Sequence, residues 1–256
     1  MKKGVFVCLV GFFLIHLNGP AWGEGEKKGA LDPENFSATL TFTSDYVFRG
    51  VSQTDEKPAI QGSFDYAHPV GLYLGIWGSN VDEAISDANL EMDLYVGYRR
   101  ELFKDFNLDL TGYYYAYPGN EKDPDPEFIE LHIGLSYAFS ETMLSPTIGL
   151  GYNYSPDFFG EDGAAHYVNF TGSLALPHGF NLYAELGFQT VEGDKLTGNG
   201  QGMDGGDGFD YTHWKLGISK ELLGFKLDAA FHSTGEEEFL GEIGEDRLVF
   251  TISRSF

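Results

Sequence analysis

The chain has 256 residues, enough for one large domain or two small ones, and carries 39 acidic against 16 basic residues, a formal charge of −23. Such an acidic chain is excluded as a nucleic-acid-binding protein, because that binding depends on Lys and Arg at the phosphates. The only cysteine is Cys8, so a disulfide framework is excluded as well. The 34 glycines, 22 Phe and 15 Tyr favour β structure.

The amino terminus has the pattern of a secretory signal. Lys2 and Lys3 precede an apolar run over residues 5–17, and small residues follow at Ala21 and Gly23. The run is too short for a membrane helix, which needs ~20 residues. We therefore predict a signal peptide over residues 1–23, a mobile polar lead-in over 24–35 and a single domain over 36–256.

From Phe36 the sequence alternates with period two, which predicts a strand with one apolar face. One face carries Phe36, Ala38, Leu40, Phe42, Tyr46 and Phe48, and the other carries Ser37, Thr39, Thr41, Thr43, Asp45 and Arg49. At ~3.3 Å per residue, such a strand is long enough to cross a bilayer at a tilt.

From the end of this strand into the connection that follows, residues 44–54 read Ser-Asp-Tyr-Val-Phe-Arg-Gly-Val-Ser-Gln-Thr. The segment resembles the hallmark of the TorF porin family, proteobacterial exported proteins of about this size. The resemblance implies an outer-membrane β-barrel with porin activity, and it implies no catalytic residues. The predicted signal and the strand pattern extend it over nearly the whole chain.

The same alternation recurs to the carboxyl terminus and gives twelve predicted strands. After the first, they lie at 60–66, 72–76, 90–98, 106–114, 129–139, 144–154, 168–176, 180–188, 214–218, 225–231 and 248–256. Short connections at 68–71, 102–105, 140–143, 177–179 and 221–224 interleave with long ones at 50–58, 80–88, 118–127, 155–165, 191–210 and 234–245. Strict interleaving predicts an all-β, antiparallel, up-and-down transmembrane barrel with short periplasmic turns and long extracellular loops.

The last strand ends on Phe256 with no residue after it. It is similar to the closing strand of bacterial outer-membrane barrels, whose terminal Phe is read by the barrel-assembly machinery. Arg254 departs from that pattern, since the third position from the end is usually apolar. The expected partners are therefore the assembly machinery and outer-membrane lipids.

Charged residues occupy the strand face opposite the apolar one, and two arrangements explain this. A soluble barrel would bury the apolar face, but about eight strands already reach the width that side chains can fill. Twelve strands therefore favour the reverse arrangement, with Leu131, Ile133 and Leu150 in lipid and Glu91 and Asp109 inside.

The predicted lumen face defines the candidate pore-lining residues. They are Asp45, Arg49, Asp65, Glu91, Asp93, Arg99, Asp109, Glu130, His132, Glu185, His213, Lys215, Lys226, Asp228 and Arg247. Eight are acids and five are Lys or Arg, a balance of −3 that favours weak cation preference in an open pore. The alternative is that these charges pair with one another and plug a narrow barrel.

The six predicted long loops hold 22 acids and only three lysines. Such a rim attracts divalent cations, although it also serves solubility. Asp204, Asp207 and Asp210 lie in a glycine-rich stretch and are weak calcium candidates, because a single copy of such a repeat cannot stack. The second functional hypothesis is therefore a sealed barrel whose loops bind metal ions or a partner.

An enzyme is not expected. Lipid-hydrolysing barrels need an outward His beside an outward Ser. Here His166 is the only outward candidate and has no evident Ser partner. Our sequence interpretation is a cofactor-free outer-membrane barrel that passes small hydrophilic solutes or ions by diffusion.

Overall fold

The computed structural model describes residues 29–83, 87–121, 125–193, 209–235 and 240–256. The predicted signal peptide and residues 24–28 of the lead-in lie outside these ranges. In the described residues, the strands are β1 (Phe36–Thr43), β2 (Val47–Phe48), β3 (Val51–Ser52), β4 (Ala59–Ala67), β5 (Leu72–Asn80), β6 (Leu90–Phe103), β7 (Phe106–Ala116), β8 (Phe128–Ala138), β9 (Thr147–Ser155), β10 (Ala165–Ala175), β11 (Phe180–Val191), β12 (Phe209–Leu222), β13 (Phe225–Ser233) and β14 (Arg247–Ser255).

Twelve of these strands form one closed antiparallel barrel, and β2 and β3 form a separate two-stranded hairpin. Around the barrel the order is β1, β14, β13, β12, β11, β10, β9, β8, β7, β6, β5 and β4. Barrel strands that follow one another in the sequence therefore lie side by side. β1 pairs with β4 because the β2–β3 hairpin stands between them in the sequence, and β1 also pairs with β14 at the seam. The predicted up-and-down barrel is confirmed.

The seam between β1 and β14 closes the barrel. Its register runs from Thr39 opposite Ser255 to Thr43 opposite Thr251. Beyond it, the Phe256 backbone N–H donates to the Ala38 carbonyl oxygen at 2.9 Å, so pairing continues to the last residue. The barrel consequently has no free edge.

The connections alternate in length as predicted, with one end of the barrel carrying the short turns and the other the long loops. Among the boundaries that differ is the start of β9: the sequence places Leu144 in a strand, but β9 begins at Thr147. Leu144 lies instead in the preceding turn with a φ of 68°. Its apolar side chain continues the alternation in the sequence, which hides the turn.

The apolar face of the barrel points outward. Leu131, Ile133 and Leu150 are 57%, 42% and 43% exposed, whereas Glu91 and Asp109 are only 2% and 5% exposed. The predicted arrangement, with apolar side chains outside and charged side chains inside, is therefore confirmed.

Residues 29–35, the end of the predicted lead-in, pack against the short-turn end of the barrel. They include a 3₁₀ helix over Pro33–Asn35, whose N-cap Asp32 accepts from the Glu34 N–H. The Tyr66 hydroxyl on β4 donates to the Ala30 carbonyl oxygen at 2.8 Å. No helix in the described part of the chain has both the length and the apolar character that crossing a membrane requires.

Candidate functional site

Strand alternation brings the predicted lumen residues together inside the barrel. Successive side chains on a strand point to opposite faces, so residues two apart on the polar face all point inward. Thirteen of the candidates lie on barrel strands: Asp65 on β4, Glu91, Asp93 and Arg99 on β6, Asp109 on β7, Glu130 and His132 on β8, Glu185 on β11, His213 and Lys215 on β12, Lys226 and Asp228 on β13, and Arg247 on β14. The other two, Asp45 and Arg49, belong to a different element.

The predicted first strand is wrong beyond Thr43. There β1 ends, and residues 45–54 turn into the barrel and form the β2–β3 hairpin, which we call the lumenal hairpin. Asp45 and Arg49 are therefore not wall residues. The segment that resembles the TorF hallmark is this hairpin, together with Ser44.

Asp45 fixes the base of the lumenal hairpin. Its carboxylate accepts hydrogen bonds from Ser52 Oγ at 2.7 Å and Thr54 Oγ1 at 2.8 Å. It also pairs with Arg247 Nη1 on β14 at 3.0 Å, with both side chains buried. One carboxylate thus joins the two arms of the hairpin to the adjacent wall.

Arg49 lies at the tip of the lumenal hairpin and reaches distant strands. Its Nη2 donates to Glu130 Oε2 on β8 at 2.6 Å, and its Nη1 donates to Gln189 Oε1 on β11 at 2.6 Å. The guanidinium also lies 4.0 Å from the centre of the Tyr167 ring on β10, a cation–π geometry. Both side chains of the Arg49–Glu130 pair are only 1% exposed.

Aromatic contacts fill the space on the other side of the hairpin. The Tyr46 ring lies 5.3 Å from Trp77, and its hydroxyl donates to Glu91 at 2.9 Å. Phe48 packs edge-on against Tyr115, with ring centres 6.2 Å apart. Because Glu91 and Tyr115 lie beside the long loops, the hairpin occupies the long-loop half of the lumen.

Gly50 allows the tip of the hairpin to approach β12. Its φ is 86°, and a Cβ there would lie 2.7 Å from His213 Cβ and 2.8 Å from Thr234 Cγ2. These separations are too short for any side chain in the observed position. Glycine is therefore required for this close approach.

Lys57 links the end of the hairpin segment to the next long loop. It donates to Asp55 and Asp82, each at 2.9 Å. The hydrogen bonds to Asp82 and Asp55 raise the pKa of Lys57 above its ordinary value. This exposed contact lies at the outer rim.

Between the hairpin and the short-turn end remains a cavity of about 250 Å³. Its wall combines hydroxyl and amide groups with charged side chains, chiefly Thr39, Thr41, Gln61, Ser63, Glu185, Lys215, Lys226, Asp228, Thr251 and Ser253. Lys215 pairs with Glu185 at 3.2 Å, and Tyr183 donates to Asp228 at 2.8 Å. The Lys226 side chain, in contrast, makes no hydrogen bond or ion pair with another described residue.

The opposite part of the lumen is crossed by further polar contacts. Asp109 pairs with Arg99 and accepts from Tyr73 at 2.6 Å, and Asp65 accepts from Tyr95. His132 Nδ1 lies 2.9 Å from the Asn153 side-chain oxygen. Many of the lumen charges thus pair with one another, while the cavity described above remains open.

Sequence reasoning missed the lumenal hairpin and the inward tyrosines. The inward tyrosines occupy the same alternating strand positions as the predicted lumen charges, and they are Tyr73, Tyr95, Tyr167 and Tyr183. This shared alternation is the signal that could have identified them. For the hairpin the only signal is the Arg49-Gly50 turn, because Tyr46 and Phe48 continue the alternation of β1.

The metal and catalytic candidates gain no further support. Asp204 and Asp207 lie outside the described residues, and Asp210 is exposed on β12. Among the described residues, no group of three or more His, Cys, Asp or Glu is arranged to hold a metal ion. His166 Nδ1 lies 2.8 Å from the Tyr152 hydroxyl, on the outer face.

A closed ring of twelve strands with an apolar outside and a polar inside defines the class, a porin-type β-barrel. The chain belongs to a bacterial family of unknown function, Gcw_chp, whose model matches residues 27–256. No curated protein sequence matches it.

Two solved porin structures are similar in fold. The NanC porin has a TM-score of 0.53 at 8% identity, covering 85% of this chain and 97% of the NanC chain. The KdgM porin has a TM-score of 0.55 at 8% identity, covering 86% and 99% respectively. KdgM has also been solved in complex with disordered oligogalacturonate. At these identities, the likeness establishes the fold alone.

Proposed function

We propose that this protein is an outer-membrane channel for passive diffusion of small hydrophilic solutes or ions. The observation that carries the proposal is the outward apolar face of a closed barrel whose inner face is charged. An apolar outer band suits the hydrocarbon of a bilayer, and a polar interior suits water and solutes. The proposal includes no chemical step and no cofactor.

The proposed orientation follows from the unequal ends of the barrel. Bacterial outer-membrane barrels carry short turns on the periplasmic side and long loops outside. The short-turn end, with Phe36 and Phe256, would then face the periplasm. Lipids and the assembly machinery, acting through the Phe256 strand, remain the proposed partners.

A weak preference for cations is part of the proposal. It rests on eight acids against five Lys or Arg among the candidate residues. Because Arg49 and Arg247 are neutralised in buried pairs with Glu130 and Asp45, the balance that a solute meets depends on the residues lining the cavity. The resemblance of residues 44–54 to the TorF family stays a prediction and supports the same function.

The second candidate is a sealed barrel whose acidic loops bind metal ions or a partner. The filling of the long-loop half by the lumenal hairpin favours this alternative. It predicts a barrel that inserts into membranes without conducting.

Conductance across a planar lipid bilayer tests the proposal. Purified, refolded protein should give discrete current steps, and a salt gradient should shift the reversal potential toward the cation side. A preference for anions would contradict the proposed cation preference but would leave the channel function standing. If folded, membrane-inserted protein gives no current steps, and a variant lacking residues 46–53 gives none either, the sealed barrel is favoured instead.

A further inference from the structure

We propose that the lumenal hairpin is a gate, which must leave the long-loop half of the lumen for solutes to pass, and that Arg49 locks it closed. This proposal rests on the channel function proposed above. It assigns a role to residues 45–54, whose place inside the lumen the sequence pattern did not predict.

The lumenal hairpin is separate from the hydrogen-bonded wall of the barrel. β2 pairs with β3, and the Gln53 N–H donates to the Tyr46 carbonyl oxygen at 2.7 Å. Its backbone meets other segments at its two ends: Thr43 Oγ1, at the end of β1, donates to the Asp45 carbonyl oxygen at 2.8 Å, and the Asp82 N–H, in the next long loop, donates to the Gln53 carbonyl oxygen at 2.9 Å. The hairpin can therefore swing out while all twelve wall strands stay paired.

The side-chain contacts of the hairpin span the lumen. Asp45 binds Arg247 on β14, the direct neighbour of β1. Arg49 binds Glu130 on β8, which lies five strands from β1 in one direction and seven in the other. A segment attached to opposite walls closes the passage between them.

The energetics of the closed position favour reversible opening of the hairpin over permanent closure. The mutual attraction of a buried ion pair is largely offset by the cost of removing both charges from water. Asp45, Arg49 and Glu130 regain hydration when the hairpin leaves, so opening costs less than separating an apolar core. Arg49, at the hairpin tip, also has a φ of 47°, a left-handed backbone conformation that is unfavourable for residues other than glycine. Opening can relieve part of that strain.

A reversible tether between the hairpin and the wall tests the gate. A Cβ at position 50 would lie 2.7 Å from His213 Cβ and 2.8 Å from Thr234 Cγ2. A disulfide needs about 3.5–4.5 Å between its Cβ atoms, so Gly50→Cys and His213→Cys can join only after the hairpin tip moves by about 1 Å from its close approach. Both cysteine substitutions are therefore made together with Thr234→Ser, which removes the methyl group and keeps the hydroxyl that donates to the Gly244 carbonyl oxygen. The only natural cysteine is Cys8, in the predicted signal peptide. Oxidation should reduce open-channel current at least about tenfold, equivalent to ~1.4 kcal/mol, and a reducing agent should restore it. Each single-cysteine variant should show no response to either treatment.

A second test of the gate removes the Arg49–Glu130 ion pair and does not depend on the disulfide. Replacing Arg49 and Glu130 together with methionine removes both charges and leaves no unpaired buried ion. The open fraction of the channel should rise about tenfold or more, while the Lys104→Gln control, in an exposed ion pair between two short turns, should match the wild type.

The outcomes separate the two proposals. Equal currents from the oxidised and reduced tether, with steps still present, would overturn the gate and leave the channel function standing. Silence from wild type, unlocked variant and hairpin deletion alike, in protein shown to be inserted, would overturn the channel function and the gate with it.

Discussion

At the level of single residues, inward tyrosines and glycines interlock across neighbouring strands. Tyr73 lies in register opposite Gly97, and Tyr183 lies opposite Gly217. Each ring covers the space where the glycine would carry a side chain. The tyrosine hydroxyl is thereby directed to a carboxylate: Tyr73 donates to Asp109 and Tyr183 to Asp228. Glycine on one strand thus positions a charge-binding hydroxyl on the next.

Gly97→Ala should destabilise the folded barrel by about 1–3 kcal/mol, because the added methyl overlaps the Tyr73 ring and lies 2.7 Å from the Leu110 carbonyl oxygen. Unfolding by urea in lipid vesicles measures the change. Gly172→Ala is the matched control, since no atom lies within 4 Å of its added methyl. Equal stability of the two variants would refute the interlocking.

The cavity charges should tune ion selectivity one residue at a time. A unit charge acts with about 0.5 kcal/mol at about 8 Å in water, roughly a twofold change in ion preference. Lys226→Gln should therefore raise the cation-to-anion permeability ratio about twofold, and Asp228→Asn should lower it by a similar factor. Reversal potentials in a salt gradient measure both. Shifts of the same sign in the two variants would contradict a role for these charges.

At the level of elements, the β1–β14 seam joins the two ends of the domain. The Phe256 N–H and carbonyl both bond to Ala38, at 2.9 and 3.3 Å, while the Phe256 side chain is 70% exposed. The backbone and the ring of this residue can therefore have separate roles. The backbone closes the barrel, and the exposed ring is free to contact the assembly machinery that we propose as a partner.

Deleting Phe256 should cost about 1–3 kcal/mol of stability in vitro, since two hydrogen bonds are lost at ~0.5–1.5 kcal/mol each. Phe256→Ala keeps both bonds and should unfold like the wild type in the same urea assay. In cells, however, Phe256→Ala should reduce the amount of inserted barrel if the assembly machinery reads the ring. Normal insertion of Phe256→Ala would remove the proposed partner contact.

Elements were predictable from sequence wherever alternation ended in a polar or glycine-containing turn. The turn at 68–71 is an example, since it lies between the observed ends of β4 and β5. The lumenal hairpin was not predictable, because Tyr46 and Phe48 extend the alternation of β1 past its true end at Thr43. Its position depends on Arg49 meeting Glu130, 81 residues away, and Arg247 meeting Asp45, 202 residues away. Local patterns contain no information on such pairings.

At the level of the whole molecule, the arrangement of polar and apolar faces was predictable, but the state of the lumen was not. Alternate residues along each strand point inward, and this alternation can be read from the sequence. Whether inward charges leave a passage depends on their pairing across the barrel and on a loop that folds between them. The choice between pore and plug therefore depends on three-dimensional contacts that the sequence pattern does not contain.

The outward apolar face leads to a prediction about the molecule in its membrane. Ile133 is 42% exposed at the middle of β8, where the hydrocarbon should be deepest. Ile133→Arg should destabilise the folded barrel in lipid vesicles by about 2–4 kcal/mol, because a cation at the bilayer midplane loses its hydration.

The control for Ile133→Arg is Leu223→Arg, in the short turn between β12 and β13. Leu223 is 88% exposed, and a charge near the interface costs only about 0–1 kcal/mol. In a soluble protein both arginines would remain in water and cost the same. A difference of at least about 1.5 kcal/mol between the variants therefore requires lipid around β8, whereas equal stabilities would place the apolar face in water and remove the basis for a membrane channel.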